Sequence, residues 1–405
     1  MSVITVFNGL FSEAGLVVKR VVDATNYRLI TDQEIVAEAA KLSGMSEEKI
    51  ARAFQAKGSV FNAFSHEKER AIAWLRFAVA TKLMDQDNLL FSGFASQLAD
   101  PAVEHILKVC LISEMKERLA VAERDEGYAE KHALKLIHKD DEDRAGWVEA
   151  LKGVKDPWTE ALYDIVVPVG ASGVNSSADL VVEQLANAAV QVSDASRAQT
   201  QDFMLAAKVG TVLAAEGHNV SVAAKGGTLT LTINKHVLML ERLERELSDI
   251  VGRVDGVEKV ETTVGKGFHQ SDIYRKMDFD IPSKVLLVDD EREFVQTLSE
   301  RLMMRDMGSA VVYDGESALN LVQEDEPEVM ILDLKMPGID GIEVLRRVKD
   351  EHPNIQVIIL TGHGSEKDRE ICMGLGAFAY LHKPVDIDVL SETLKAANEK
   401  VQTAK

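Results

Sequence analysis

The chain has 405 residues, 46% of them hydrophobic and 28% charged, which suits two or three globular domains and excludes a fibrous or disordered polymer. A formal net charge of -20 argues against the basic face a nonspecific nucleic-acid binder needs, so no DNA is expected among the partners. Cys110 and Cys372, the two cysteines, each lie in an apolar run and read as reduced core thiols. No run reaches the roughly 18 apolar residues of a membrane span, and no basic leader precedes an apolar stretch, so a cytoplasmic chain without a transmembrane segment is expected.

The amino terminus opens with a strand-like "VITVF", then "NGLFSEAGLVVKR", the outline of a phosphate-cradling loop. A working loop reads G-x-x-x-x-G-K-[ST], because backbone amides wrap the phosphates while Lys and a hydroxyl supply charge and hold magnesium. Here Gly9 and Gly15 are one residue too far apart, and Leu16 and Val17 stand where Lys and Ser/Thr belong. Glu13 places a negative charge inside the loop, and Lys19 falls about one helical turn too late.

Helices follow at "TDQEIVAEAAKL", capped by Thr31 or Asp32, and at "SEEKIARAF", capped by Ser46. The short apolar runs "NLLFSGF", "HILKVCLI" and "YDIVVPV" have the length of buried strands, and their alternation with helices predicts a parallel sheet covered on both faces. The Gly/Ser/Asn-rich residues 167–179 close this domain or lead to its last helix.

Across residues 1–170 these blocks, together with "SEMKERLAVAERDEG", "IHKDDEDRAGWVEAL" and "DPWTEALYDIVVPVG", resemble the cytidylate-kinase-like family of P-loop proteins. The resemblance implies that Arg118, Arg124 and Arg144 are the candidates to hold a nucleotide at its phosphates. The alternative for the same arginines is a solvated helix face, paired with Glu114, Glu117, Glu123 and Asp141. Ser92, Gly93 and Phe94 stand where the family commonly shows Gly-Arg, and with the altered loop this makes a degenerate, noncatalytic domain the expectation.

Residues 198–264 shrink to a small α+β module: a helix ending at Gly217, strands "NVSVAA" and "GTLTLTIN" around a Gly226-Gly227 turn, and a charged helix before "GVEKVETTV". The module weakly resembles a BON domain and is read as a binding module. A polar linker is expected over residues 264–284.

Residues 283–405 repeat strand then helix five times, which predicts a doubly wound, flavodoxin-like parallel sheet whose crevice lies at the strands' carboxyl ends. Those ends carry Asp289 and Asp290 ("LLVDD"), Asp333 ("ILDLKMPGIDG"), Thr361 ("IILTG") and Lys383 ("YLHKP"). Clustered carboxylates repel one another unless a cation neutralises them, and hard oxygen ligands favour Mg2+. With Lys383 and Thr361 to meet phosphoryl oxygens, one carboxylate is left as nucleophile, and Asp333 is the central candidate.

The acidic pair, "DLKMPGIDG", "TGHG" and "GAFAYLHKP" resemble, in order and spacing, the receiver domain of two-component response regulators. The resemblance implies that Asp333 accepts a phosphoryl group from a sensor histidine kinase or phosphotransfer protein. It further implies Mg2+ held by Asp289, Asp290, Asp333 and the backbone carbonyl of Lys335, a phosphate grip by Thr361 and Lys383, and Tyr380 as switch aromatic. A homodimer through the receiver is among the partners it allows. The expected function is a response regulator with a noncatalytic kinase-like output region; the alternative is a receiver-gated nucleoside monophosphate kinase.

Overall fold

The apolar start of the chain becomes β1 (Val3–Asn8), the middle strand of a five-stranded sheet. The computed structural model describes residues 2–57, 60–61, 65–237, 239–265, 268 and 281–403. By internal contacts the chain divides into residues 1–58 with 67–274, and residues 59–66 with 275–405.

In the first unit β1 lies between β3 (Leu89–Ser92) and β4 (Ile106–Ile112), with β2 (Arg28–Thr31) and β5 (Ile165–Pro168) outside them in the order β2-β3-β1-β4-β5, all parallel. Successive residues of β1 serve opposite faces, as the strand period of two requires. Val3 and Phe7 pack in one core with Leu89, Phe91 and Trp147; Ile4 and Val6 pack in another with Leu90, Leu107 and Val17. The predicted double-faced burial of a parallel sheet is therefore met.

Helices start where the caps foretell. Thr31 Oγ1 accepts the Glu34 N–H to open α2 (Asp32–Ser43), and Ser46 Oγ accepts the Lys49 N–H to open α3 (Glu47–Ala51). The first unit's other helices include α1 (Ala14–Thr25), α4 (Glu67–Asp85), α5 (Met115–Glu126) and α6 (Glu130–Lys152). The Gly/Ser/Asn-rich residues 167–179 lead into the domain's last helix sooner than their composition suggests: α7 (Val174–Gln184) begins within them, after a short helical turn at Val169–Ser172, and its Ala178 and Val181 join the core built on α1.

The next helix, α8 (Asp194–Ala215), serves two cores at once. Phe203 and Ala207 are buried with the amino-terminal sheet and α4, whereas Val209 and Leu213 are buried with the small module. That module holds β6 (Ser221–Lys225), β7 (Thr228–Ile233), α9 (Leu240–Val251) and β8 (Lys259–Val264), with β7 antiparallel to β6 and parallel to β8. Gly226 and Gly227 take φ of 53° and 76°, the double positive φ that a tight two-residue hairpin demands. The linker expected over 264–284 falls largely outside the described residues.

The second unit contains β9 (Val285–Val288), β10 (Ser309–Val312), β11 (Val329–Leu332), β12 (Gln356–Thr361) and β13 (Ala379–His382), parallel in the order β10-β9-β11-β12-β13. Its helices are α10 (Arg292–Met303), α11 (Gly315–Glu324), α12 (Gly341–Glu351), α13 (Glu366–Gly374) and α14 (Ile387–Thr403). Residues 59–66 belong to this unit: Phe61 is fully buried in its core, and the Val60 N–H donates to Asp325 Oδ2 at 2.9 Å. Both cysteines are free and buried, and burial pushes the Cys110 thiol up to about 12 and the Cys372 thiol up to about 11.

Because α8 spans two cores, Phe203→Ala and Leu213→Ala are expected to destabilise one shared transition, by about 3–5 and 2–5 kcal/mol respectively. Urea denaturation followed by circular dichroism checks this through lowered midpoints. Two transitions, each moved by only one substitution, would contradict a shared helix.

Candidate functional site

The register of the carboxy-terminal sheet builds the site. Val288 of β9 pairs with Leu332 of β11, so Asp289 and Asp333 leave their strands side by side, at the place where the strand order reverses. Thr361 ends β12 and pairs with His382 of β13, which sets Lys383 on the same rim, ahead of a cis peptide to Pro384. The five positions read from the sequence are thus delivered to one edge, four of them by the buried strands β9, β11 and β12 and Lys383 by the half-buried β13.

Asp289 and Asp333 are buried, and carboxylate oxygens of Asp289, Asp290 and Asp333 lie within 4.8 Å of one another. Lys383 Nζ reaches into this cluster, 2.6 Å from Asp289 Oδ2, 2.9 Å from Glu291 Oε1 and 3.3 Å from Asp333 Oδ2. Asp333 Oδ1 instead accepts the Leu334 N–H at 2.7 Å, so its two oxygens have separate duties. Asp289 Oδ1 accepts the Glu291 N–H at 2.9 Å.

Burial raises the Asp289 carboxyl above the ordinary carboxylate range, against the pull of Lys383. For Lys383 burial works against the charge, but the carboxylates of Asp289 and Glu291 outweigh it and hold the ammonium above its usual range. One lysine cannot balance this many carboxylates. An oxygen-only donor set of this spacing, with an excess of negative charge, fits a hard divalent cation such as Mg2+. Lys335, whose carbonyl the sequence singled out, lies two residues beyond Asp333 on the loop that leads to α12.

Thr361 is fully buried, and its Oγ1 meets the His363 N–H at 3.4 Å. The Tyr380 hydroxyl is tucked beneath the loop after Thr361, buried and without a hydrogen-bond partner. Its position depends on Gly364: a Cβ built there lands on the Tyr380 hydroxyl and comes within 2.9 Å of the Thr361 methyl carbon. Sequence reasoning missed Gly364 and Glu291 as parts of the site. Gly364 was visible only as one letter of "TGHG", and nothing in the sequence marked Glu291 as a lysine partner.

The three arginines of the first unit are also brought into one region, but each arrives with a carboxylate. Arg118 makes a bidentate pair with Asp141, both N–O distances being 2.9 Å, and its Nε donates to the Leu10 carbonyl at 2.7 Å. Arg144 Nε meets Asp140 Oδ2 at 2.7 Å, with the guanidinium stacked over the rings of Phe94 and Phe7. Arg124 meets Glu13 at 2.9 Å and its neighbour Asp125 at 2.6 Å. Of the partners proposed from the sequence only Asp141 is used by these arginines; Glu114 and Glu117 instead form a capping box at the start of α5.

Residues 285–395 match the response regulator receiver domain, and residues 3–171 match the cytidylate kinase-like family. The transcriptional regulatory protein CpxR of Escherichia coli (strain K12) is 40% identical over 114 residues, which are 28% of this chain and 48% of that protein. The C4-dicarboxylate transport transcriptional regulatory protein DctD of Pseudomonas aeruginosa is 34% identical over 121 residues, 30% of this chain and 26% of that protein. The chain therefore spans about half the length, or less, of these curated relatives. Among solved structures, a response regulator receiver domain from Clostridium thermocellum is 32% identical, covering 30% of this chain and 98% of the other, with a TM-score of 0.29. The chain carries a receiver domain and a cytidylate kinase-like domain.

The Gly364–Tyr380 contact has a measurable signature. Gly364→Ala is expected to destabilise the receiver by about 1–3 kcal/mol through overpacking. Tyr380→Phe removes a buried hydroxyl that has no partner, so it should be neutral or stabilising alone and should relieve most of the Gly364→Ala cost. A double-mutant cycle in urea measures the coupling. Additive effects would mean that the two groups do not meet.

Proposed function

We propose that this chain is a two-component response regulator, phosphorylated on Asp333 by a sensor histidine kinase or phosphotransfer protein, whose kinase-like region serves as a noncatalytic output. One observation carries the reading: three carboxylates with oxygens within 4.8 Å of one another share a rim with the Lys383 ammonium at 2.6–3.3 Å from Asp289 and Asp333. The receiver match and the similarity to CpxR and DctD support the same reading.

In the proposed reaction Asp333 Oδ2, the oxygen facing Lys383, attacks phosphorus in line with the P–N bond of a phosphohistidine. The O–P bond forms, the P–N bond breaks, and the leaving imidazole nitrogen keeps the electron pair and takes a proton from solvent. Asp289, Asp290 and Asp333, with the Lys335 carbonyl, would hold Mg2+, which when bound supplies positive charge to the phosphoryl oxygens. Lys383 offsets the same developing charge from the opposite side, and the Thr361 hydroxyl donates to a phosphoryl oxygen. Thr361 turning toward the phosphoryl group changes the space beside the Tyr380 hydroxyl, which biases the receiver surface between two states.

The output is read as contact formation, including a homodimer through the receiver. The small module, with its hairpin and amphipathic α9, is read as a BON-like binding module. Among the described residues no helix is long and apolar enough to cross a membrane, and a cytoplasmic site is part of the proposal. The competing reading, a receiver-gated nucleoside monophosphate kinase, draws on the family match at residues 3–171. Against it stand the altered loop and the carboxylate partner of each candidate arginine.

Acetyl phosphate with Mg2+ should label the full chain stoichiometrically, while Asp333→Asn or removal of the metal by a chelator should abolish labelling. Mass spectrometry reads the outcome, and persistent labelling of Asp333→Asn would place the acceptor elsewhere. A coupled assay with cytidine monophosphate and ATP should show no turnover above background, whether or not Asp333 is phosphorylated.

A further inference from the structure

In the loop after β1 the Leu10 amide is satisfied from outside the loop. The residue that does so is acidic: the Leu10 N–H donates to Asp140 Oδ2 at 3.0 Å, across 130 residues of sequence. The same oxygen takes Arg144 Nε at 2.7 Å, so one carboxylate oxygen collects a loop amide and a guanidinium, as a phosphate oxygen would. Next to it Asp141 holds Arg118 by both terminal nitrogens, and Arg118 Nε bonds back to the Leu10 carbonyl. Glu13, on the helix side of the loop, takes Arg124.

No room is left between loop and guanidinium. A Cβ built on Gly9 would lie 3.1 Å from Arg118 Nη2 and 3.2 Å from Cζ, so the arginine lies against the loop backbone. Arg118 and Arg144 are 7% and 6% exposed, which marks this ionic cluster as interior rather than as surface decoration. Arg144 Nη1 is buried with no hydrogen-bond partner, a donor that Asp140 leaves unused.

We infer that Asp140 and Asp141 of α6 act as a built-in anion that fills loop 9–13 and closes it to phosphate ligands, so that the nucleotide site is occupied by the chain itself. This rests on the noncatalytic reading of the kinase-like region and explains what keeps it closed. Exchanging both carboxylates for amides removes the internal anion while preserving side-chain size, and it frees Arg118 and Arg144 to meet an external one. The cost of leaving two buried guanidinium groups unpaired supplies the affinity for that anion.

The test is calorimetric titration of the full chain with inorganic pyrophosphate. The D140N/D141N variant should bind at least about tenfold more tightly than the wild type, and adding Arg144→Gln should remove the gain. Equal affinity of wild type and double variant, including binding by neither, overturns the inference. Should the double variant fail to fold, hydrogen exchange of the wild-type Leu10 amide decides: exchange unmoved by millimolar pyrophosphate supports internal closure, and a pyrophosphate-dependent change overturns it. Asp333 labelling is measured separately, so failure here and failure of the response-regulator reading are distinguishable.

Discussion

Carboxylates crowded on the rim of the carboxy-terminal sheet repel each other, and the site exists because Lys383 is held among them. The strand register brings Asp289 and Asp333 level, and β13 ends where its next residue can extend an ammonium to both. Removing a buried charge partner in such a cluster costs more than the pair itself contributes, because an uncompensated charge is left behind. The surplus of negative charge that remains suits the rim to a hard divalent cation. The buried hydrophobic strands beneath fix the geometry by leaving the rim residues little freedom of placement.

The amino-terminal sheet solves a related electrostatic problem in the opposite direction. Its loop amide and arginines are donors seeking an anion, and α6 supplies carboxylates from within the same domain. One domain therefore presents carboxylates in excess of the single lysine among them, whereas the other pairs each of these arginines with a carboxylate of its own. The difference follows from where the acidic residues lie, at strand ends in one case and on a long crossover helix in the other.

Much of this was legible in the sequence for local reasons. Caps at Thr31 and Ser46, the Gly226-Gly227 hairpin and the strand–helix alternation are set by backbone chemistry within a few residues, and they appear where expected. The missing Lys of the amino-terminal loop was likewise visible as letters at wrong positions. Less legible were features joining distant segments. Nothing local says that α8 packs Phe203 into one core and Leu213 into another, or that Phe61 is buried with a sheet that begins more than two hundred residues later.

The sequence by itself determined the chemistry: which residues end each strand, which loop lost its lysine, and that Asp289, Asp290, Asp333, Thr361 and Lys383 share one rim, because parallel strands place their carboxyl ends together. Only the tertiary structure decided the partners of the charges. Arg118, Arg124 and Arg144 are the same letters whether they hold a nucleotide or a carboxylate, and the packing of α6 against loop 9–13 brings Asp140 and Asp141 to two of them. The physical reason is that charge is encoded residue by residue, whereas its compensation is a matter of distance between segments far apart in the chain.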